Sequence, residues 1–292
     1  MTTRRSFIKT SAVLSAGLLV APSLFAYDKK YIGLQLYTVR DAMAKDVPGS
    51  LAKVAQAGYT SVEGSYGPTL FFNNSAKDFG AMLKQNGLIM PSCHYRLGEE
   101  LVKGEHQTGT ILNGWDKAVD DAAEIGLKYM VCAYLSVDER GSLDHYKQVA
   151  EDFNKAGERC KKAGIQLAYH NHDFEFIQQD GKYPYETILH NTDKDLVKME
   201  MDMYWVTKAN QSPAKLIAEN PGRFPLWHIK DMDKTADRSF TEVGNGIIDF
   251  KEIFTHAKQA GLQYFFVEED KCPGDPFDSI AQSISYIKKN LV

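Results

Sequence analysis

The sequence predicts an α/β chain folded as a single-domain (β/α)8 TIM barrel, and three observations carry that expectation. From Tyr31 onward, short β-branched or aromatic runs alternate with longer amphipathic segments. These units recur roughly every 30 residues, with no Pro/Ser-rich linker between them. The stretch Gln35-Leu36-Tyr37-Thr38-Val39-Arg40, which follows the first run, lacks the glycine-rich phosphate loop that a doubly wound open sheet carries at that point.

Eight runs read as strands: Tyr31–Val39, Thr60–Gly64, Ile89–His94, Tyr129–Tyr134, Ile165–His170, Val197–Asp202, Leu226–Asp231 and Tyr264–Glu268. Helical patterns lie between them over Val47–Gln56, Trp115–Ala123, Leu143–Ala163, Pro213–Glu219, Phe250–Ala260 and Pro276–Lys289. Five segments stop at a glycine just before the next strand, namely Gly58, Gly87, Gly126, Gly164 and Gly261. Glu242-Val243-Gly244-Asn245-Gly246 reads as a glycine turn, and Asp249 beyond it as a helix N-cap.

Composition sets outer limits. The chain has 292 residues, 43% hydrophobic and 25% charged, which are ordinary globular values. Its first residues contain Thr3-Arg4-Arg5-Ser6-Phe7-Ile8-Lys9 followed by an uncharged run to Ala26, the pattern of a twin-arginine export signal. The expected division is therefore a signal over 1–26 and a barrel over 27–292, with a periplasmic location, or an anchored one if the signal is uncleaved. Ser11, Ser15, Gly17 and Pro22 weaken that run as a stable membrane span, and no second run approaches spanning length. Removing 1–26 takes away three basic residues and no acid, which moves the net charge from −4 to −7. An acidic surface repels phosphate backbones, so nucleic acid is not an expected partner. Cys93, Cys132, Cys160 and Cys272 show no CxxC spacing and require no disulfide. Assembly into a homo-oligomer is left open.

Barrels of this class place their active sites at the C-terminal ends of the strands. The fifth run ends in His170-Asn171-His172, two imidazoles with a period of two and hence on one face. The sixth ends in Glu200-Met201-Asp202, the seventh contains His228-Ile229-Lys230-Asp231, and the eighth ends in Glu268. Four consecutive strands thus deliver His170, Asp202, His228 and Glu268 to one rim. Mixed nitrogen and oxygen donors without sulfur suit one divalent ion of the Mn, Co, Zn or Mg class. Each member alone has a plainer role: a hydrogen-bonded histidine, a solvated Glu200, or a Lys230 paired with Asp231 or Glu200. Glu269 and Asp270 read as a solvated rim.

Gly33-Leu34-Gln35-Leu36-Tyr37-Thr38-Val39-Arg40, Tyr169-His170-Asn171-His172-Asp173-Phe174-Glu175-Phe176, His228-Ile229-Lys230-Asp231 and Val267-Glu268-Glu269-Asp270 resemble the sugar phosphate isomerase/epimerase family. This belongs to the xylose-isomerase-like barrel superfamily, and the likeness runs from about Tyr31 to Leu291. It implies a Mn-type ion held by Glu, Asp, His and Glu. The last three map onto Asp202, His228 and Glu268. The first falls on His170, with His172 competing for the place. It also implies proton abstraction beside a sugar carbonyl through an enediolate, with Glu268, Lys230, His172 and Glu63 as candidates for proton transfer. Gln35, Tyr37, His94, Tyr134 and Trp205, at or just past strand ends, are candidates to contact the sugar, and Trp205 also suits packing.

The expected function is a metal-dependent sugar isomerase or epimerase. Elimination from a 3-keto-glycoside shares its first step and suits an exported enzyme. A non-catalytic sugar-binding protein and an apurinic-site endonuclease are the other readings, and the acidic charge counts against the endonuclease.

Overall fold

The computed structural model describes residues 31–66, 71–98 and 109–292, together with the backbone of 101–102 and 105–106. The signal expected over 1–26 lies outside the described residues. Among these residues, no helix is long and apolar enough to cross a membrane.

Eight parallel strands close into a barrel: β1 (Ile32–Gln35), β2 (Ser61–Ser65), β3 (Ile89–Tyr95), β4 (Tyr129–Cys132), β5 (Gln166–His170), β6 (Val197–Asp202), β7 (Leu226–Ile229) and β8 (Tyr264–Val267). Closure is made where β1 pairs on one side with β8, through Leu34 opposite Val267, and on the other with β2, through Gln35 opposite Glu63. The predicted barrel is the one found. Its helices start where short polar side chains take orphan amide hydrogens: Asp46 accepts from Gly49, Ser75 from Asp78, and Asp249, as predicted, from Glu252. All five predicted glycine stops have positive φ.

Three predicted strands end two or more residues early: the first, the fourth, which stops at Cys132, and the seventh. The first apolar run does not continue as a strand to Val39; β1 ends at Gln35, and Leu36–Val39 form a 3-10 turn. The cause is local, because the Gln35 side chain accepts the Tyr37 amide and caps the turn. The seventh run also leaves the barrel early: β7 ends at Ile229, and Asp231–Met232 pair instead with Phe240–Thr241 in a ribbon.

Most of the hydrophobic core lies between the barrel and its helices. Inside the barrel a second, small cluster of Val131, Ala168, Leu226 and Phe266 plugs the lower part. Gly33 makes room for it, since a Cβ there would stand 2.3 Å from the Phe266 ring. Two residues further along three of these strands, the inward side chains change from apolar to ionisable: Ala168 to His170, Leu226 to His228, and Phe266 to Glu268.

Candidate functional site

A cavity of about 510 Å³ opens at the C-terminal end of the barrel, of a size to take a sugar. Its lining includes Tyr37, His94, Arg96, Tyr134, His170, His172, Lys230, Glu268 and Asp270. Gln35, Glu63, Asp202, Trp205 and His228 are not part of that lining. Glu63, Asp202 and His228 lie directly beneath it, each fully buried. Gln35, also fully buried, donates from Nε2 to Glu63 at 2.8 Å and lies 3.2 Å from His94 Nδ1, so it positions other residues. Trp205 stands behind His172, with ring centroids 5.5 Å apart, and packs against Tyr204 and Phe240.

His228 is the hub. Its Nδ1 lies 2.8 Å from Glu268 Oε2, and its Nε2 lies 2.5 Å from Glu63 Oε2 and 3.3 Å from Glu200 Oε2. Glu200 Oε2 is also 2.8 Å from His94 Nε2 and 3.0 Å from His170 Nδ1. Lys230 Nζ lies 2.7 Å from Glu268, 2.9 Å from Asp202 and 3.1 Å from Asp270. Asp202 is held by the Trp205 amide at 3.0 Å, while Asn171 accepts the Asp202 amide at 3.1 Å.

Two overlapping groups have donor atoms all within 4.8 Å of one another: Asp202, His228 and Glu268, and His94, His170, Glu200 and His228. The chemistry of both fits a divalent ion, since fully buried carboxylates need a cation or a proton beside them. His170 joins the second group, and His172 joins neither. Glu175 takes another part: it accepts the His172 amide at 2.9 Å and the Tyr169 hydroxyl.

Burial and neighbouring charge set the protonation states. Burial pulls His94 down, but Glu63 and Glu200 outweigh it and hold the imidazole up at about 9. Burial works the same way on His228, which Glu200, Glu63 and Glu268 lift well above the usual range. Burial raises Glu200 to about 7, with the Glu63 charge adding to it. Burial also opposes the charge on Glu268, yet Lys230 and His228 hold it far below the carboxylate range. His170 and His172 are pushed well below 6.5, by burial first and then by cations around them. His172 is therefore neutral, and its buried Nδ1 has no hydrogen-bond partner.

Three expectations need correction. Lys230 does not pair with Asp231 or Glu200: its ammonium meets Asp202, Asp270 and Glu268, and although burial lowers its pKa these three carboxylates raise it well above 10.5. Glu200 is not a solvated residue; it is 0% exposed inside the barrel. Glu269 and Asp270 do not form a solvated rim. Asp270 turns in to Lys230, and Glu269 is buried behind β8, where its amide donates to Thr38. Asp231 instead faces out and accepts four amides, from Met232, Gly244, Gly246 and Ile248, at 2.8 to 3.2 Å. Gly246 is needed there, since a Cβ would stand 2.2 Å from Asp231 Oδ1.

Arg96 and Arg140 were missed by the sequence reading. Each guanidinium lies 4.9 Å from the Tyr134 ring centroid, and Arg96 also lines the cavity. The only available signal was that Arg96 follows a strand-end His by two residues.

Comparison with known proteins fits this arrangement. A sugar phosphate isomerase/epimerase of Parabacteroides distasonis superposes with a TM-score of 0.74 at 33% identity, covering 90% of this chain and 95% of that one. A second from the same organism gives 0.77 at 26%, covering 89% and 98%. An inosose dehydratase of Lacticaseibacillus casei is 23% identical over 167 residues, 51% of this chain and 55% of that relative. The chain thus spans about half the length of the curated relatives it matches. Residues 51–290 match the family described as xylose isomerase-like TIM barrel. With the barrel closed, the ionisable centre at its C-terminal end and this match over most of the sequence, the chain belongs to the xylose isomerase-like TIM barrel family.

Proposed function

We propose that the protein is a divalent-metal-dependent enzyme acting on a sugar or keto-sugar by removing the proton beside a carbonyl. The sugar enzymes among its relatives support this class. The observation that carries it is the pairing, in one cavity, of a neutral His172 with a charged Lys230 beside Glu268. A base must be deprotonated and within reach of a carbon-bound proton, and His172 meets the first condition because burial and Lys230 keep it neutral. Lys230 is the fixed positive charge that stabilises an enediolate oxygen. Glu268 is held charged beside it and is the second candidate to carry a proton. Tyr37, Tyr134 and Arg96 form walls on which a sugar ring can rest.

A divalent ion bound at this centre would polarise the carbonyl and acidify the neighbouring proton. The residues to hold it are His228 with the carboxylates and imidazoles around it.

Isomerisation and epimerisation return the proton to carbon, whereas elimination expels the oxygen at the next carbon. The relation to inosose dehydratases supports elimination as the principal variant, and the Thr3–Lys9 motif supports action outside the cytoplasm on a non-phosphorylated substrate. The test is proton NMR of keto-sugars and 3-keto-glycosides in deuterated water with protein reloaded with Mn, Co, Zn or Mg. Loss of the signal beside the carbonyl, abolished by chelator and by His172→Ala, is the expected result. No ion-dependent exchange on any of them would overturn the proposal.

A further inference from the structure

The ionisable centre contains two donor sets that share His228, and they differ in what already neutralises them. The upper set, Asp202 and Glu268 with His228, has a resident cation: the Lys230 ammonium stands 2.9 and 2.7 Å from its two carboxylates. A divalent ion placed among the same oxygens would meet that ammonium at close range, where like charges repel strongly. The lower set has no lysine or arginine beside its carboxylates; only imidazoles face them, and an imidazole can give up its proton to an incoming ion. The carboxylate of this set, Glu200, lies two residues before Asp202 on the same strand and is 0% exposed. Three imidazole nitrogens converge on its Oε2, at 2.8 Å (His94), 3.0 Å (His170) and 3.3 Å (His228). Its second oxygen, Oε1, is buried without a hydrogen-bond partner, and so is Oε1 of Glu63. Among the described residues, every ion pair of Glu63 and Glu200 is with histidine and none is with lysine or arginine.

We infer that the divalent ion is held on this lower set, by His94, His170, Glu200 and His228, rather than on the Asp202–His228–Glu268 rim. His94 and His170 line the cavity, so the set is reached from the substrate side. Three imidazoles and one carboxylate make the site softer than an all-oxygen one. It selects zinc, cobalt, nickel or iron over magnesium. The arrangement also accounts for the histidine at position 170: an imidazole there adds a nitrogen donor beside Glu200 in place of a carboxylate beside Asp202. Lys230 is then left free of the ion, as a separate charge for a substrate oxygen.

The inference shares with the proposed function only the premise that a divalent ion binds. The experiment uses the full chain, stripped by chelator and titrated with Zn²⁺, with X-ray absorption at the zinc edge to count imidazoles. His94 belongs to the lower set alone, and Asp202 to the upper alone. Expected are a spectrum with three imidazoles and a zinc affinity that falls about 100-fold or more in His94→Ala, beyond what loss of an outer partner costs. Asp202→Asn should stay within about tenfold of wild type on the same scale. Glu200→Gln, which keeps the shape of the side chain, should lose zinc as His94→Ala does, and it covers the case in which His94→Ala does not fold. Zinc retained in His94→Ala and Glu200→Gln but lost in Asp202→Asn, or a spectrum with fewer than three imidazoles, would overturn the inference. Either result would leave the proton-exchange test of the proposed reaction standing, and failure of that exchange would leave the ligand count unchanged.

Discussion

The inside of the barrel holds two regions that lie two residues apart on the same strands. Ala168, Leu226 and Phe266 belong to a dry cluster with Val131, and His170, His228 and Glu268 to the ionisable centre above it. The lower region stabilises by removing apolar surface from water, on the order of 25 cal/mol per Å². The upper region does the opposite: it takes Glu63, Glu200 and Asp202 fully out of water, which costs several kcal/mol per ion before pairing offsets it. The lesson is that one sheet separates stability from chemistry along the strand axis, without any domain boundary between them.

That separation can be attacked from both sides. The largest expected effect is on the upper region. Glu268→Gln should lower the rate of carbon–proton exchange by about 10²–10⁴-fold, while stability falls by less than the about 3–5 kcal/mol that removing one partner of a buried pair costs, because Asp202 and Asp270 still pair with Lys230. A matching collapse in stability would merge the two regions. Next comes the lower region: Phe266→Ala should cost about 3–5 kcal/mol in urea unfolding. Bound ion per folded chain should not change, and if it falls the plug is part of the site. The smallest effect sharpens the cost of polarity at the wall behind His172. Burial raises Glu175 from 4.5 to about 7, against the hydrogen bonds from Tyr169 and His172 that favour its charge. The folded chain therefore holds a proton that the unfolded chain has released. This stability contribution is complete below pH about 4.5 and is lost as pH rises through about 7. Across that window wild type should lose on the order of 3 kcal/mol more than Glu175→Gln. Equal slopes in pH-dependent urea unfolding would show that this carboxyl carries no such cost.

The barrel was legible because its signals are local: alternation, glycine stops and N-caps such as Asp249 each work within a few residues. The inward set was legible for a related reason, since a period of two puts His170 with His172, and Glu200 with Asp202, on one face. Periodicity does not say how deep a residue lies, so Glu200 could read as a solvated residue when it is fully buried in the lower donor set. It is equally silent on what a charged residue beyond a strand turns toward, and Asp270 passed for a solvated acid although it pairs with Lys230. Gln35 read as a sugar contact because its hydrogen bonds to Glu63 and His94 join residues 28 and 59 positions away. The state of Lys230 depends on three carboxylates from two separate segments, a sum that no single motif contains.

The outward-facing Asp231 has a consequence for how such a chain can diversify. By gathering the amides of Met232, Gly244, Gly246 and Ile248, it fastens both ends of the segment that runs from β7 to the helix starting at Phe250. What lies between, including Phe240, is held as a cartridge whose socket does not depend on its contents. Phe240 presses on Trp205, and Trp205 on His172. Exchanging the cartridge would therefore reshape the wall beside His172 while Lys230, one residue before the fastening, keeps its post.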